Sequence, residues 1–163
     1  MKKISLTLII ALFVISCADK NAVHEPVKNE LLAYTQKFEI VRTGNDRYLA
    51  IGTYLNPVLK KNTNEEIFIL SSYPKEEPIN LKTIRVNGDS NLSIKKLDYN
   101  DELLKLVNIN LPWSYHYKII APVKNSNYLT IAYDTNRSLR AVLKFQKVSK
   151  SMYWNPEIKL DNR

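Results

Sequence analysis

The groups in this chain with chemistry to offer are few: two histidines, one cysteine, sixteen carboxylates and a generous set of aromatic rings. His116 stands between Tyr115 and Tyr117 on the polar parity of an alternating run, so it reads as a surface or edge histidine. As a general base it would need a carboxylate or a hydroxyl supplied by the fold. His24 lies in a stretch without periodicity, a poor place to hold a precise geometry. The carboxylates pair up as Glu65-Glu66, Glu76-Glu77 and Asp101-Glu102, and neighbours on a strand point to opposite faces. Glu76 and Glu77, bracketed by Pro74 and Pro78, read as a stiff loop. H-E-x-x-H, G-x-S-x-G, the P-loop, the dinucleotide fingerprint and the calcium loop are all missing. The expectation is a chain with no catalytic residues, no metal and no cofactor.

Rings and charges point instead to binding. Ten tyrosines and two tryptophans are present. Trp113, Tyr115, His116 and Tyr117 crowd four rings into five positions, and Tyr153-Trp154 adds two more near the end. Tyr115 and Tyr117 share the apolar parity and read as core, whereas Trp113 and Trp154 are candidates for a contact surface. The net charge is +8. Residues 17–113 carry 13 basic and 13 acidic side chains, and residues 114–163 carry nine against three, so the surplus lies in the last third. Such a field suits anionic headgroups, acidic glycans or an acidic protein.

Short apolar runs separated by Asn, Asp, Pro and Gly must position these groups. Ser114–Ala121, the stretch around Leu129–Tyr133 and Leu139–Phe145 alternate with period two, with turns between them. Together they read as an antiparallel meander with one buried face. Its other face would bring Lys118, Arg140 and Lys144 together as a basic patch. Upstream, Lys37–Thr43 and Arg47–Leu55 flank the hairpin turn Gly44-Asn45-Asp46. Glu66–Ser72 is apolar on both faces, which marks a central strand. Leu81–Val86, Leu92–Leu97 and Val107–Leu111 complete the strand set, with a short helix at Asp101–Leu106 capped by Asn100. The fold class expected is all-β, a two-sheet antiparallel sandwich of immunoglobulin-like kind with one short helix.

The N-terminus carries the most specific signal. Lys2 and Lys3 precede an apolar run from Ile4 to Ile15, shorter than the ~20 residues of a bilayer span. It ends in Val14-Ile15-Ser16-Cys17, which resembles the lipobox of bacterial lipoproteins. That resemblance covers about the first eighteen residues. It implies cleavage before Cys17, a diacylglyceryl group on the Cys17 thiol and, usually, an acyl chain such as palmitate on the new N-terminus. Several chains make such an anchor stable, at about 0.8 kcal/mol per buried methylene. Ala18 rather than Asp follows the cysteine, which in the Gram-negative pattern favours the outer over the inner membrane. Loss of Lys2 and Lys3 would lower the net charge to +6. As the sole cysteine, Cys17 also leaves the domain without an internal disulfide.

The organisation expected is therefore a signal peptide (1–16), a lipidated N-terminus and flexible tether (17–30), and one domain (31–163). At ~3.3 Å per residue the tether would reach roughly 40 Å. The function expected is a membrane-anchored envelope lipoprotein that binds or scaffolds without catalysis. Its partner would be an envelope protein or an anionic polymer and not nucleic acid. An envelope hydrolase using His116 with carboxylates brought in by the fold is the alternative.

Overall fold

The computed structural model describes residues 26–44, 46–59, 64–109 and 111–148. Cys17, His24 and Trp154 lie outside these residues. Among the described residues eight strands are present: β1 (Thr35–Val41), β2 (Arg47–Tyr54), β3 (Glu65–Tyr73), β4 (Arg85–Val86), β5 (Ser93–Leu97), β6 (Tyr115–Pro122), β7 (Tyr128–Asp134) and β8 (Arg140–Gln146). They form one sheet in the order β1-β2-β3-β6-β5 and a second in the order β4-β7-β8, with antiparallel pairing throughout. The architecture is a two-sheet antiparallel sandwich. Setting β1 aside, the order β2-β3-β6-β5 facing β4-β7-β8 is that of the constant-type immunoglobulin sandwich. β1 widens the first sheet and lies beside β8.

Alternation explains the core. Tyr48, Ala50 and Tyr54 of β2, Phe68 and Leu70 of β3, and Tyr117, Ile119 and Ala121 of β6 face inward. They meet Leu129, Ile131 and Tyr133 of β7 and Ala141, Leu143 and Phe145 of β8. The two sheets are also joined by a buried hydrogen bond between the Tyr48 and Tyr133 hydroxyls, 2.9 Å apart. Burial pushes the Tyr48 hydroxyl up to about 12. β3, apolar on both faces, is the middle strand of its sheet as its composition predicts.

The outer face of the larger sheet is also covered. Ile67 and Ile69 of β3, with Leu55, pack under α1 (Pro26–Ala33), α2 (Asn56–Leu59) and α3 (Glu102–Val107) through Leu31, Val58 and Leu104. The short helix expected near residue 101 is α3; its cap is Asp101, whose carboxylate accepts the Leu103 N–H at 3.0 Å, and not Asn100. α1 starts inside the stretch read as tether, because burying Leu31 offsets the cost of ordering that turn.

Three local readings need correction. Val107–Leu111 is not a strand: Leu103, Leu106 and Val107 sit at helical spacing against the sheet, and Asn108 ends α3 in the left-handed region at φ 52°. Leu81–Val86 is a strand only at Arg85–Val86, since the Asn80 side chain caps a 3-10 turn over Leu81–Thr83. The β6-β7-β8 meander does not form. β6 pairs with β3 and β5, the chain then crosses to the other sheet, and only β7 and β8 make a hairpin. By contrast, β1 and β2 pair across the Gly44 turn as expected, with Gly44 at φ 77° and Arg42 N–H donating to the Asp46 carbonyl at 2.8 Å.

Candidate functional site

Splitting the meander separates the basic patch. Lys118 lies on the outer face of the larger sheet, whereas Arg140 and Lys144 lie on the outer face of the smaller one, across the sandwich. Alternation assigns a residue to the outside of its sheet but does not say which sheet the strand joins. Lys118 stands opposite Lys95, and Lys144 opposite Thr130. The surplus of cations in the last third meets acids from upstream. Lys124 pairs with Asp89, Lys147 with Glu66 at 2.5 Å, and Arg137 reaches Asp46 at 3.6 Å, while Arg140 pairs locally with Asp134 at 3.4 Å.

Two upstream acids, Glu66 and Glu77, are buried, which the sequence reading missed. Glu77 accepts two hydrogen bonds from Arg42, at 2.7 and 2.9 Å, and one from the Thr135 hydroxyl at 2.8 Å. The Arg42 guanidinium holds the Glu77 carboxyl below the usual carboxylate range. Burial works to raise Glu66, but the Lys124 N–H, the Lys147 ammonium and the Tyr54 hydroxyl outweigh it and hold that carboxyl low as well. Parity was a signal for Glu66, which shares the inward register of Phe68 and Leu70. These clusters tie β-strands and loops together and expose little to a ligand.

A concave site lies at one end of the larger sheet, where β3 ends, β5 ends and β6 begins. A cavity of about 410 Å³ opens there, lined by Lys75 from the loop after β3, Lys96 to Tyr99 at the end of β5, and Leu111 to His116 leading into β6. This volume falls in the range of small-ligand pockets, about 300–1,000 Å³. Trp113 is 70% exposed and sits at φ 56°, a conformation rare for a bulky residue. Its carbonyl accepts the Lys75 N–H at 3.1 Å, which fastens the two loops together. Tyr115 is half-buried, with the Lys96 ammonium 4.1 Å and the Lys75 ammonium 5.9 Å from its ring centre.

His116 is buried in this wall, 3% exposed, and not at the surface as its parity suggests. α3 and the loops flanking it cover that end of the outer face. Nδ1 lies 2.7 Å from the Ser71 hydroxyl, and the Tyr99 ring centre is 6.5 Å away. Nε2 has no hydrogen-bond partner. Burial, together with the Lys75 charge, pulls the His116 imidazole below its ordinary value. The native state therefore binds fewer protons than the unfolded chain just below pH 6.5, the ordinary value. This contribution to stability is complete above that pH and is lost as pH falls toward the lower folded value. Between pH 7 and 5, denaturant unfolding of the wild type is expected to lose stability more steeply than that of His116→Gln. Identical slopes would remove this assignment.

The Ser71–His116 pair looks like part of a nucleophilic site, yet the geometry does not suit one. Ser71 is fully buried beneath the ring, out of reach of a substrate, and the contact uses Nδ1. Among the described residues no group of three or more His, Cys, Asp or Glu side chains is placed to hold a metal, and no helix is long and apolar enough to cross a membrane. Of the residues singled out in the sequence, Trp113 and His116 come together here. Lys75, Lys96, Asp98 and Tyr99 join from segments far apart in the chain, with no local pattern to announce them. Comparison with protein-family models, with curated proteins and with solved structures finds no match for this chain.

Proposed function

We propose that this chain is a lipid-anchored lipoprotein of the bacterial envelope, favouring the outer membrane, whose domain binds a ligand without transforming it. The lipobox-like run ending in Cys17 supports the anchor. The observation that carries the binding role is the cavity at the end of the larger sheet. An exposed Trp113 stands at its rim and His116 is among its lining residues. The separated lysines and arginine, Lys118, Arg140 and Lys144, are not part of this site. Trp154, beyond the described residues, is not used.

The hydrolase reading has one observation in its favour, the 2.7 Å contact between Ser71 and His116. One experiment addresses both. A photo-crosslinking side chain placed at Tyr99 is irradiated in intact cells, in the wild-type and Trp113→Ala backgrounds. A discrete adduct that the second substitution abolishes is expected, with the protein in the membrane fraction and released from it by Cys17→Ser. A fluorophosphonate probe is expected to leave Ser71 unlabelled. Absence of an adduct removes the binding reading, labelling of Ser71 installs the hydrolase in its place, and membrane retention of Cys17→Ser removes the lipid anchor.

A further inference from the structure

We infer that the cavity is one of two adjoining subsites for an acidic oligosaccharide, a chain of sugar rings that carries carboxylates. The inference rests on the binding role proposed above and specifies its ligand. A second depression of about 220 Å³ lies beside the first, bounded by Asn100, Leu104, Lys105 and Asn108, and Tyr99 forms part of the wall of both. A ring shared by two hollows suits a ligand with repeated units, one on each side of it.

The groups of the first hollow match a sugar acid better than other ligands. Trp113, exposed at the rim, and Tyr99 bring aromatic rings against which the C–H side of a pyranose ring packs. Lys75 and Lys96, both held over the Tyr115 ring, supply cations for a carboxylate. Asp98 on the same wall accepts hydrogen bonds from hydroxyls. A lipid chain would leave these polar groups without partners. In the second hollow Asn100 and Asn108 bring amides, which both donate to and accept from hydroxyls.

The test is calorimetric titration of the full protein with uronic-acid oligosaccharides in several linkages, from monosaccharide to tetrasaccharide, and with neutral glucose oligosaccharides of the same lengths. The acidic tetrasaccharide of a recognised linkage is expected to bind about tenfold or more tightly than its monosaccharide, and than the neutral chain. Trp113→Ala should cost about tenfold for every acidic ligand. Asn100→Ala should weaken the tetrasaccharide and leave the monosaccharide unchanged. The inference is overturned if no acidic oligosaccharide binds, if neutral chains bind equally well, or if affinity ignores chain length or the Trp113 ring. Should the Tyr99 adduct form in cells while every acidic oligosaccharide fails, the ligand class is wrong and the binding role survives. Loss of the adduct as well would remove both.

Discussion

Glu77→Ala is expected to lower the unfolding free energy by about 2–3 kcal/mol at neutral pH. The carboxylate is fully enclosed, and it is the common acceptor for Arg42 from the end of β1 and Thr135 from the end of β7. Removing it leaves a guanidinium and a hydroxyl without their acceptor and loosens the contact between two loops at one end of the sandwich. A completely enclosed pair would cost about 3–5 kcal/mol to break. The smaller figure applies because the Arg42 side chain keeps 27% exposure and regains water. The acid dependence follows from the same contact. Arg42 holds the Glu77 carboxyl below its ordinary 4.5, so the stabilisation is whole above that pH and is lost as pH falls through the lower folded value. Urea titrations should show a gap between wild type and variant that is constant from pH 7 to pH 5 and narrows below 4.5. A gap independent of pH would mean that charge is not what Glu77 contributes.

The second large effect comes from a position with no side chain. Gly52 in β2 faces the smaller sheet so closely that a Cβ there would lie 2.8 Å from Phe145 Cζ and 3.1 Å from Leu143 Cδ1. Phe145 is itself wedged against Phe68, ring centres 5.4 Å apart, and cannot swing aside without disturbing the core. Gly52→Ala is therefore expected to cost about 1–3 kcal/mol by overpacking. Phe145→Leu alone removes buried ring volume and costs in the same range. Combined, the two should cost less than their sum by about 1 kcal/mol or more, since the shorter side chain opens room for the new methyl group. Equilibrium denaturation of the four proteins in the cycle gives that coupling directly. Additivity within about 0.5 kcal/mol would show that the Phe145 ring is not what excludes a side chain at this position.

Both cases concern contacts between sheets, and these were the least legible from sequence. Gly52 carries no signal of its own there, and Glu77 reads as half of an acidic pair between prolines. The partner is not announced in either case, because Phe145 lies on the opposite sheet and Arg42 is 35 residues from Glu77 in the chain. The pocket is similar. Trp113 stood out as an aromatic outside the alternation, while Lys75, Lys96 and Tyr99 carried no signal until three strand ends converged.

The amino-acid sequence by itself determined most of the strands and the inward faces of β6, β7 and β8, because apolar alternation with period two has one way to bury its stripe. It also determined that β3 is central and that the whole is a two-sheet antiparallel sandwich. Only the tertiary structure decided which sheet each strand joins. Side-chain parity is the same whether β6 continues into β7 by a hairpin or crosses to the opposite sheet, so Lys118 and Arg140 could be read as neighbours when they lie on opposite sides. It decided as well that His116 is buried, since the outer face of a sheet is polar or covered according to whether helices and loops lie on it, and that cover comes from distant segments. Period two is a local property of the chain, whereas the partner of a strand is chosen by long-range packing.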